Sequence, residues 1–207
     1  MRFLLPVPKN NAGTTNCIPE FYFPDPNMIS SRLVHGYDEE GKNTTRNSDV
    51  SNVNPSWGGP AGGLISNSHD VAMWANALFS GKILTEKGLI EMKNLVSMQT
   101  GQSIKNNLEG GYGMGIASDF ESAGLNKKYC RVYDHSGGML GYRSYFVYFS
   151  CYSCFIALTT NTNRDINLTK IASDIMDIIV KSDEWKKFKK VHATNPINCN
   201  PFPIGLK

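Results

Sequence analysis

No stretch of the 207 residues approaches the roughly 18 consecutive apolar positions that a membrane-spanning helix needs, so no span is expected. An excess of one charge is missing too: 21 Lys and Arg stand against 18 Asp and Glu, a net charge of +3. That balance excludes a dedicated nucleic-acid or membrane-surface protein, which would carry a strong basic bias. Cysteine is scarce, five in all and odd in number, too few for a disulfide framework in a chain of this length. No secretory signal is expected in the opening residues either. Met1-Arg2-Phe3-Leu4-Leu5 starts like one, but Pro6 and Pro8 interrupt an apolar stretch that should run about 7–15 residues. The chain is expected to begin in loop-like sequence, as a fragment of a longer protein would.

What is present suffices for a core. Hydrophobic residues make up 41% of the chain, which argues against wholesale disorder. At about 150 residues per domain, the length corresponds to between one and two domains. Residues 1–57 read as a loop-rich region, punctuated by Pro6, Pro8, Pro19, Pro24, Pro26 and Pro55, with strand-like pieces at 20–23 and 32–37. Residues 58–182 carry the periodic segments and are expected to form the main domain. Residues 183–207 read as a basic, proline-containing tail.

Within the main domain a glycine cluster, Gly58-Gly59-Pro60-Ala61-Gly62-Gly63, marks a turn. Val71, Trp74, Ala75, Leu78 and Phe79 then repeat at helical spacing, with Asn67 as cap, Asp70 in the first turn and Gly81 as stop. A second helix is expected after Thr85 with Leu89, Met92 and Val96 on its buried stripe. Strands are expected at 112–118, 128–136, 142–149 and 154–160, all rich in aromatic or β-branched residues. In 142–149 both alternating faces are bulky and apolar, the pattern of a strand covered on both sides. The short link 150–153 implies an antiparallel hairpin. Leu168, Ile171, Ala172, Ile175 and Ile179 define a third helix through Lys181. The fold class is therefore α+β, an antiparallel sheet flanked by helices.

The segment from Asp134 to Ser144, DHSGGMLGYRS, carries the strongest chemical signal. Glycines beside His135 let a backbone approach a ligand closely; the competing reading is that His135 caps a turn that the glycines merely shape. His135 and Ser136 cannot form a catalytic pair, because adjacent strand residues point to opposite faces. Cys151 and Cys154 lie across a turn, have no second pair at metal-ligand spacing, and read as structural. Lys186, Lys187, Lys189 and Lys190 read as a solvated face. Asn43-Thr44-Thr45 and Asn167-Leu168-Thr169 are glycosylation sequons of the kind an Asn-rich chain contains by chance. Trp57 is either core or a pocket wall, and His69, in a first helical turn, is expected to be exposed.

Four pieces then occur in a telling order: Ala61-Gly62-Gly63-Leu64 with Ser66 and Asp70; Gly111-Tyr112-Gly113-Met114-Gly115; His135-Ser136-Gly137 with Gly141-Tyr142; and Leu158-Thr159-Thr160-Asn161. In this order the chain resembles the serine β-lactamase-related family, which includes class C β-lactamases and D-alanyl-D-alanine carboxypeptidases. The resemblance covers about residues 58–181, with His35-Gly36-Tyr37 as a further match, and corresponds to the C-terminal part of that fold. The family's chemistry needs a Ser-x-x-Lys nucleophile and base, a Tyr-x-Asn element and a Lys-Thr-Gly or His-x-Gly strand. No Ser here has Lys three residues on, and no Tyr has Asn two residues on. By resemblance, then, catalytic residues are none, and His135, Ser136, Gly137 and Gly138 are substrate-binding. His135 would face a substrate carboxylate, and the Gly138 amide would form half of an oxyanion hole. The resemblance implies no metal or organic cofactor, a small-molecule or peptide substrate in the intact protein, and a missing N-terminal fragment as partner. It also leaves a non-catalytic binding module or a degenerate remnant as the alternative. The family is often periplasmic or secreted, and the compartment of this chain stays open.

Overall fold

The computed structural model of the chain describes residues 33–39, 47–104, 109–121 and 130–192. The strand expected at 20–23 and the segment beyond 192 lie outside them. Internal contacts divide the chain into two compact units interleaved in sequence. One unit holds the described residues up to Ala77 with Ser136–Tyr145 and Ala157–Ile166; the other holds Leu78–His135, Phe146–Ile156 and the described residues from Asn167 onward.

In the first unit, β1 (Tyr37–Glu39) and β2 (Asn47–Asp49) form a two-stranded antiparallel sheet with Tyr37 opposite Asp49. The strand expected at 32–37 thus begins only at its last residue. What precedes it is a strap of backbone bonds. Tyr142 donates its hydroxyl to the Val34 carbonyl at 2.6 Å, and Asn161 donates its side-chain amide to the His35 carbonyl at 2.9 Å. The Gly36 carbonyl takes the Val50 N–H at 2.8 Å, and the Tyr37 N–H reaches the Asn161 carbonyl at 3.0 Å. The glycine cluster folds into a 3₁₀ segment, Pro55–Ala61, capped by the Asn54 side chain on the Ser56 N–H at 2.8 Å. Trp57 on that segment is 65% exposed, so it is not core.

Helix α1 (Ser68–Phe79) opens as its sequence requires: Asn67 accepts the Asp70 N–H at 3.0 Å while its own amide donates to the Asp70 carboxylate at 2.7 Å. His69 is exposed in the first turn. Ala75, Leu78 and Phe79 are buried, and Gly81 ends the run at φ +73°. Thr85 caps α2 (Glu86–Met92) through the Gly88 N–H. Val96, expected on the α2 stripe, lies beyond the helix. The Met92 carbonyl accepts the Met114 N–H at 3.0 Å, and Val96 exchanges backbone bonds with Tyr112 at 2.9 and 3.0 Å. Close backbone approach enforces this exit, since a Cβ on Gly113 would stand 2.2 Å from the Met92 oxygen.

The main sheet follows chain order, β3-β4-β5-β6-β7, with antiparallel pairing of β3 with β4 and of β4 with β5. The single strand expected at 112–118 is two, β3 (Gly111–Tyr112) and β4 (Ala117–Glu121). Gly115 at φ +71° and the 2.7 Å bond from the Gly113 N–H to the Ile116 carbonyl turn the chain between them. Strand β5 (Cys130–Met139) continues past the expected end at 136, through Gly137 and Gly138. Strands β6 (Tyr142–Phe149) and β7 (Cys154–Thr160) span the expected residues. Tyr145, Val147 and Phe149 of β6 are buried, whereas Tyr142, Phe146 and Tyr148 on the other face are half-buried. The sheet is therefore covered fully on one side of β6 and partly on the other.

In the second unit the Phe79 ring lies 5.7 Å from Tyr133, 4.6 Å from Tyr148 and 5.6 Å from Phe155, and Tyr148 stacks on Phe155 at 4.4 Å. Helix α3 (Leu168–Lys181) is capped by Asn167 of the second sequon, which accepts the Lys170 N–H at 2.8 Å. Its buried stripe is Ala172, Met176 and Val180 rather than the isoleucines: Ile171 is 38% and Ile178 69% exposed. Isoleucine at 171, 175, 178 and 179 covers more of the circumference than one stripe, so apolar content alone did not select the face. The start of the expected tail is helical, α4 (Asp183–His192). Ser182, extended at φ −67° and ψ 153°, separates the helices, donating to the Ile179 carbonyl at 2.7 Å and accepting the Trp185 N–H at 3.1 Å.

Lys93 yields one test of this packing. Its ammonium lies 4.9 Å from the centroids of both Phe79 and Tyr133, and burial lowers its pKa from 10.5 to about 8. The folded chain thus releases this proton before the unfolded chain does, so its cost is full below pH 8 and relieved as pH rises from 8 to 10.5. The shift would correspond to about 3 kcal/mol for a fully buried group. Partial exposure screens it, and each ring face returns about 0.5–1 kcal/mol. Lys93→Met is therefore expected to stabilise by about 1 kcal/mol at pH 7, with the gain fading as pH rises from 8 to 10.5 when urea midpoints are followed against pH.

Candidate functional site

Strand β5 places the four candidate residues in a row. His135 is half-buried, and Ser136, Gly137 and Gly138 are exposed. The His135 ring is held by Tyr112: its Nε2 shares a 2.7 Å hydrogen bond with the Tyr112 hydroxyl, and the rings meet edge-on with centroids 6.0 Å apart. Tyr112 is fixed in turn by its two backbone bonds to Val96. His135 is therefore an imidazole oriented by Tyr112.

The backbone direction of β5 follows from its register. Strand β4 ends its pairing with Ala117 opposite Asp134, so residues 135–139 run past it. On the other side, the Ser150 N–H donates to the Arg131 carbonyl at 3.1 Å, which turns the Arg131 backbone toward β6. Backbone bonding alternates along a strand. Gly137 and Met139 consequently face β6, and Ser136 and Gly138 face the edge that β4 leaves. A Cβ on Gly137 would lie 2.6 Å from the Ser144 hydroxyl, so packing explains that glycine. A Cβ on Gly138 would meet nothing within 4 Å, so packing does not explain this one.

A second polar cluster stands in the first unit. His35 Nδ1 pairs with the Asp49 carboxylate at 2.6 Å, and Asp49 also accepts the Ser51 N–H at 2.9 Å and the Ser51 hydroxyl. These bonds, those of Ser51 first, lower the Asp49 pKa to about 2. Ser51 accepts the Gly36 N–H at 2.9 Å and bonds the carboxylate rather than the imidazole. It is not the activated serine of a nucleophile–base pair, which needs a direct bond to the base. The cluster fixes the strap at His35-Gly36-Tyr37. Among the described residues no group of three or more His, Cys, Asp or Glu is placed to hold a metal ion, and no helix is long and apolar enough to cross a membrane.

A family model described as Beta-lactamase matches residues 18–178. The chain belongs to the beta-lactamase family. Among solved structures it is similar to a D-stereospecific amidohydrolase from Streptomyces sp., with 27% identity over 69% of this chain and a TM-score of 0.56. It is also similar to a D-amino acid amidase from Ochrobactrum anthropi SV3, solved with L-phenylalanine amide, with 20% identity over 69% of this chain and a TM-score of 0.52; that likeness is one of fold. The chain spans 39% of the length of each.

The motif order in the sequence singles out four residues that β5 carries in a row. Missing from that reading was the role of Tyr112 as the partner of His135. Tyr112 stood in the Gly-Tyr-Gly motif, but nothing local indicates that its hydroxyl reaches a side chain 23 residues away.

Proposed function

We propose that this chain supplies the substrate-holding strand of a serine hydrolase, with the residues that attack the carbonyl provided outside these 207 positions. The observation that carries the reading is the edge of β5 beyond β4: an outward Gly138 amide with open space where a side chain would be, next to an imidazole oriented by Tyr112. An extended acyl substrate would lie along that edge as an added strand, its carbonyl oxygen toward the Gly138 N–H. As the carbonyl is attacked its oxygen gains negative charge, and a fixed N–H stabilises that charge more than it stabilises the ground state. The nucleophile's own amide would complete the hole. His135 would hold a substrate carboxylate or polar terminus. A Ser-x-x-Lys serine would take the acyl group, with Lys and the Tyr-x-Asn tyrosine moving the proton from the hydroxyl to the leaving group; water would then release the acid.

The intact protein is proposed to act on amide, peptide, β-lactam or ester carbonyls. The 27% identity to a D-stereospecific amidohydrolase supports an amide of a D-configured residue as the first substrate to try. The test follows backbone amides by NMR while D-alanine amide is added to the labelled chain. Shifts centred on His135, Ser136 and Gly138 are expected at millimolar ligand, with no hydrolysis of the amide or of a chromogenic cephalosporin. A titration that leaves these three amides unmoved would remove the reading. Covalent labelling of any serine by a fluorescent penicillin would overturn the placement of the nucleophile elsewhere.

A further inference from the structure

Two thiols stand just beyond the last backbone bond between β5 and the end of β6. The Ser150 N–H and the Ser150 hydroxyl both bond the Arg131 carbonyl, at 3.1 and 2.6 Å, which sets Arg131 opposite Ser150. The other end of the hairpin has the same register: Gly137 faces Ser144, and Leu140-Gly141 form a two-residue turn with Gly141 at φ +74°. Beyond the Arg131–Ser150 pair the chain leaves β6 in a turn, with the Tyr152 N–H on the Phe149 carbonyl at 3.1 Å, and this turn carries Cys151 against Cys130. The Cys151 N–H lies 3.0 Å from Cys130 Sγ. That contact sets the Cys130 sulfur against the backbone that carries the Cys151 side chain, so pairing needs only that the two Cα atoms lie within a disulfide's reach. A disulfide accepts Cα separations of about 4.4–6.8 Å.

We propose that Cys130 and Cys151 close a disulfide when the folded chain meets a disulfide oxidant such as oxidised glutathione. The two thiols differ in access, which orders the steps. Cys151 is exposed, whereas Cys130 is fully buried. The Cys151 sulfur, having lost its proton to solvent, attacks one sulfur of oxidised glutathione. The glutathione S–S bond breaks, one glutathione leaves as thiolate, and a mixed disulfide remains on Cys151. Cys130, losing its proton, then attacks the Cys151 sulfur; the Cys130–Cys151 bond forms and the second glutathione leaves. Two electrons pass from the cysteine pair to glutathione, and two protons end on its two thiols. Burial together with the adjoining Cys151 thiol pushes the Cys130 thiol up to about 12. The second step is therefore the slow one and accelerates as pH rises. Among the described residues, Cys154, half-buried at the start of β7, is the competing partner for Cys151.

Tryptic mapping separates the pairings. Cleavage after Lys128 and Arg131 isolates Cys130 in the tripeptide 129–131, and cleavage after Arg143 and Arg164 leaves Cys151 and Cys154 together in 144–164. After incubation of the native chain with oxidised glutathione and alkylation, the expected product is 129–131 cross-linked to 144–164, with Cys154 alkylated. Cys154→Ser is expected to retain the cross-link and Cys151→Ser to lose it. The oxidised wild-type chain is expected to melt several degrees above the reduced one, a shift that Cys151→Ser abolishes. A bond confined to Cys151 and Cys154, or full alkylation of Cys130 and Cys151 after oxidation, would overturn the proposal. A cross-link that appears only in urea would do the same.

Discussion

Phe79→Ala is expected to lower stability by about 3–5 kcal/mol, the usual cost of truncating a buried aromatic residue. Three rings and an ammonium are arranged around this side chain: Tyr133, Tyr148 and Phe155 within 5.7 Å of its centroid and Lys93 at 4.9 Å. Truncation leaves a void that the neighbours cannot fill, since Tyr133 is fixed in β5 and Tyr148 and Phe155 are stacked on each other across β6 and β7. It also strips one of the two ring faces from Lys93. An ordinary domain is stable by about 5–15 kcal/mol, so this one change removes a large share. For a chain of this length the thermal midpoint is expected to fall by about 10 °C. Near-UV circular dichroism should lose the signal of the tyrosine cluster, while Phe79→Leu, which keeps most of the volume, should cost less than half as much. A Phe79→Ala variant that melts with the wild type would show that the cluster does not hold the second unit together.

The parts of the fold that could be read in the sequence are those whose burial follows a local period. Strands β6 and β7 and helix α3 end at the expected residues because alternation, or a 3.6-residue repeat, is bounded there by turn or capping residues. The misread parts depend on contacts between distant backbones. Helix α2 stops at Met92 because its carbonyl is claimed by Met114, and the run 112–118 breaks because Gly113 and Gly115 permit a reversal that propensity in 112–118 does not announce. Helix α4 was a different kind of omission. Ser182 followed by Asp183 and Glu184 is a local start signal, hidden by the basic residues after it.

The candidate site divides in the same way. His135, Ser136, Gly137 and Gly138 are contiguous, so a motif suffices to find them. Two properties make the row chemically suggestive, and neither is local: the Tyr112 hydroxyl on His135, and the end of the β4–β5 pairing at Ala117 opposite Asp134, beyond which β5 runs on to Gly138. The His35, Asp49 and Ser51 cluster is likewise assembled from separate stretches, and it anchors the strap beside the hairpin turn of β5 and β6.

Glycine substitutions in that hairpin separate architecture from function. Gly141 is buried at φ +74°, and a Cβ there would lie 2.4 Å from Val50 Cγ2, 2.8 Å from the Gly36 carbonyl carbon and 2.9 Å from the Tyr37 nitrogen. Gly141→Ala must therefore bear about 1–2 kcal/mol for the left-handed backbone and about 1–3 kcal/mol for overpacking. Two of the three contacts are backbone, so relief requires the strap at 34–37 to move, with loss of the Tyr142 bond to Val34 and the Asn161 bond to His35. We expect about 2–5 kcal/mol of destabilisation and faster hydrogen exchange at Tyr37 and Val50, whose N–H groups those contacts protect. Gly138→Ala, three residues away, meets nothing within 4 Å and should stay within about 0.5 kcal/mol of wild type. Its methyl group would stand on the sheet face, away from the edge toward which the N–H points, so the D-alanine amide shifts at His135 and Ser136 should persist, whereas Gly138→Pro, which deletes that N–H, should abolish them. If Gly138→Pro kept those shifts at full amplitude, the β5 edge would not be the binding surface. If Gly141→Ala melted with the wild type, the strap would not be seated on the turn.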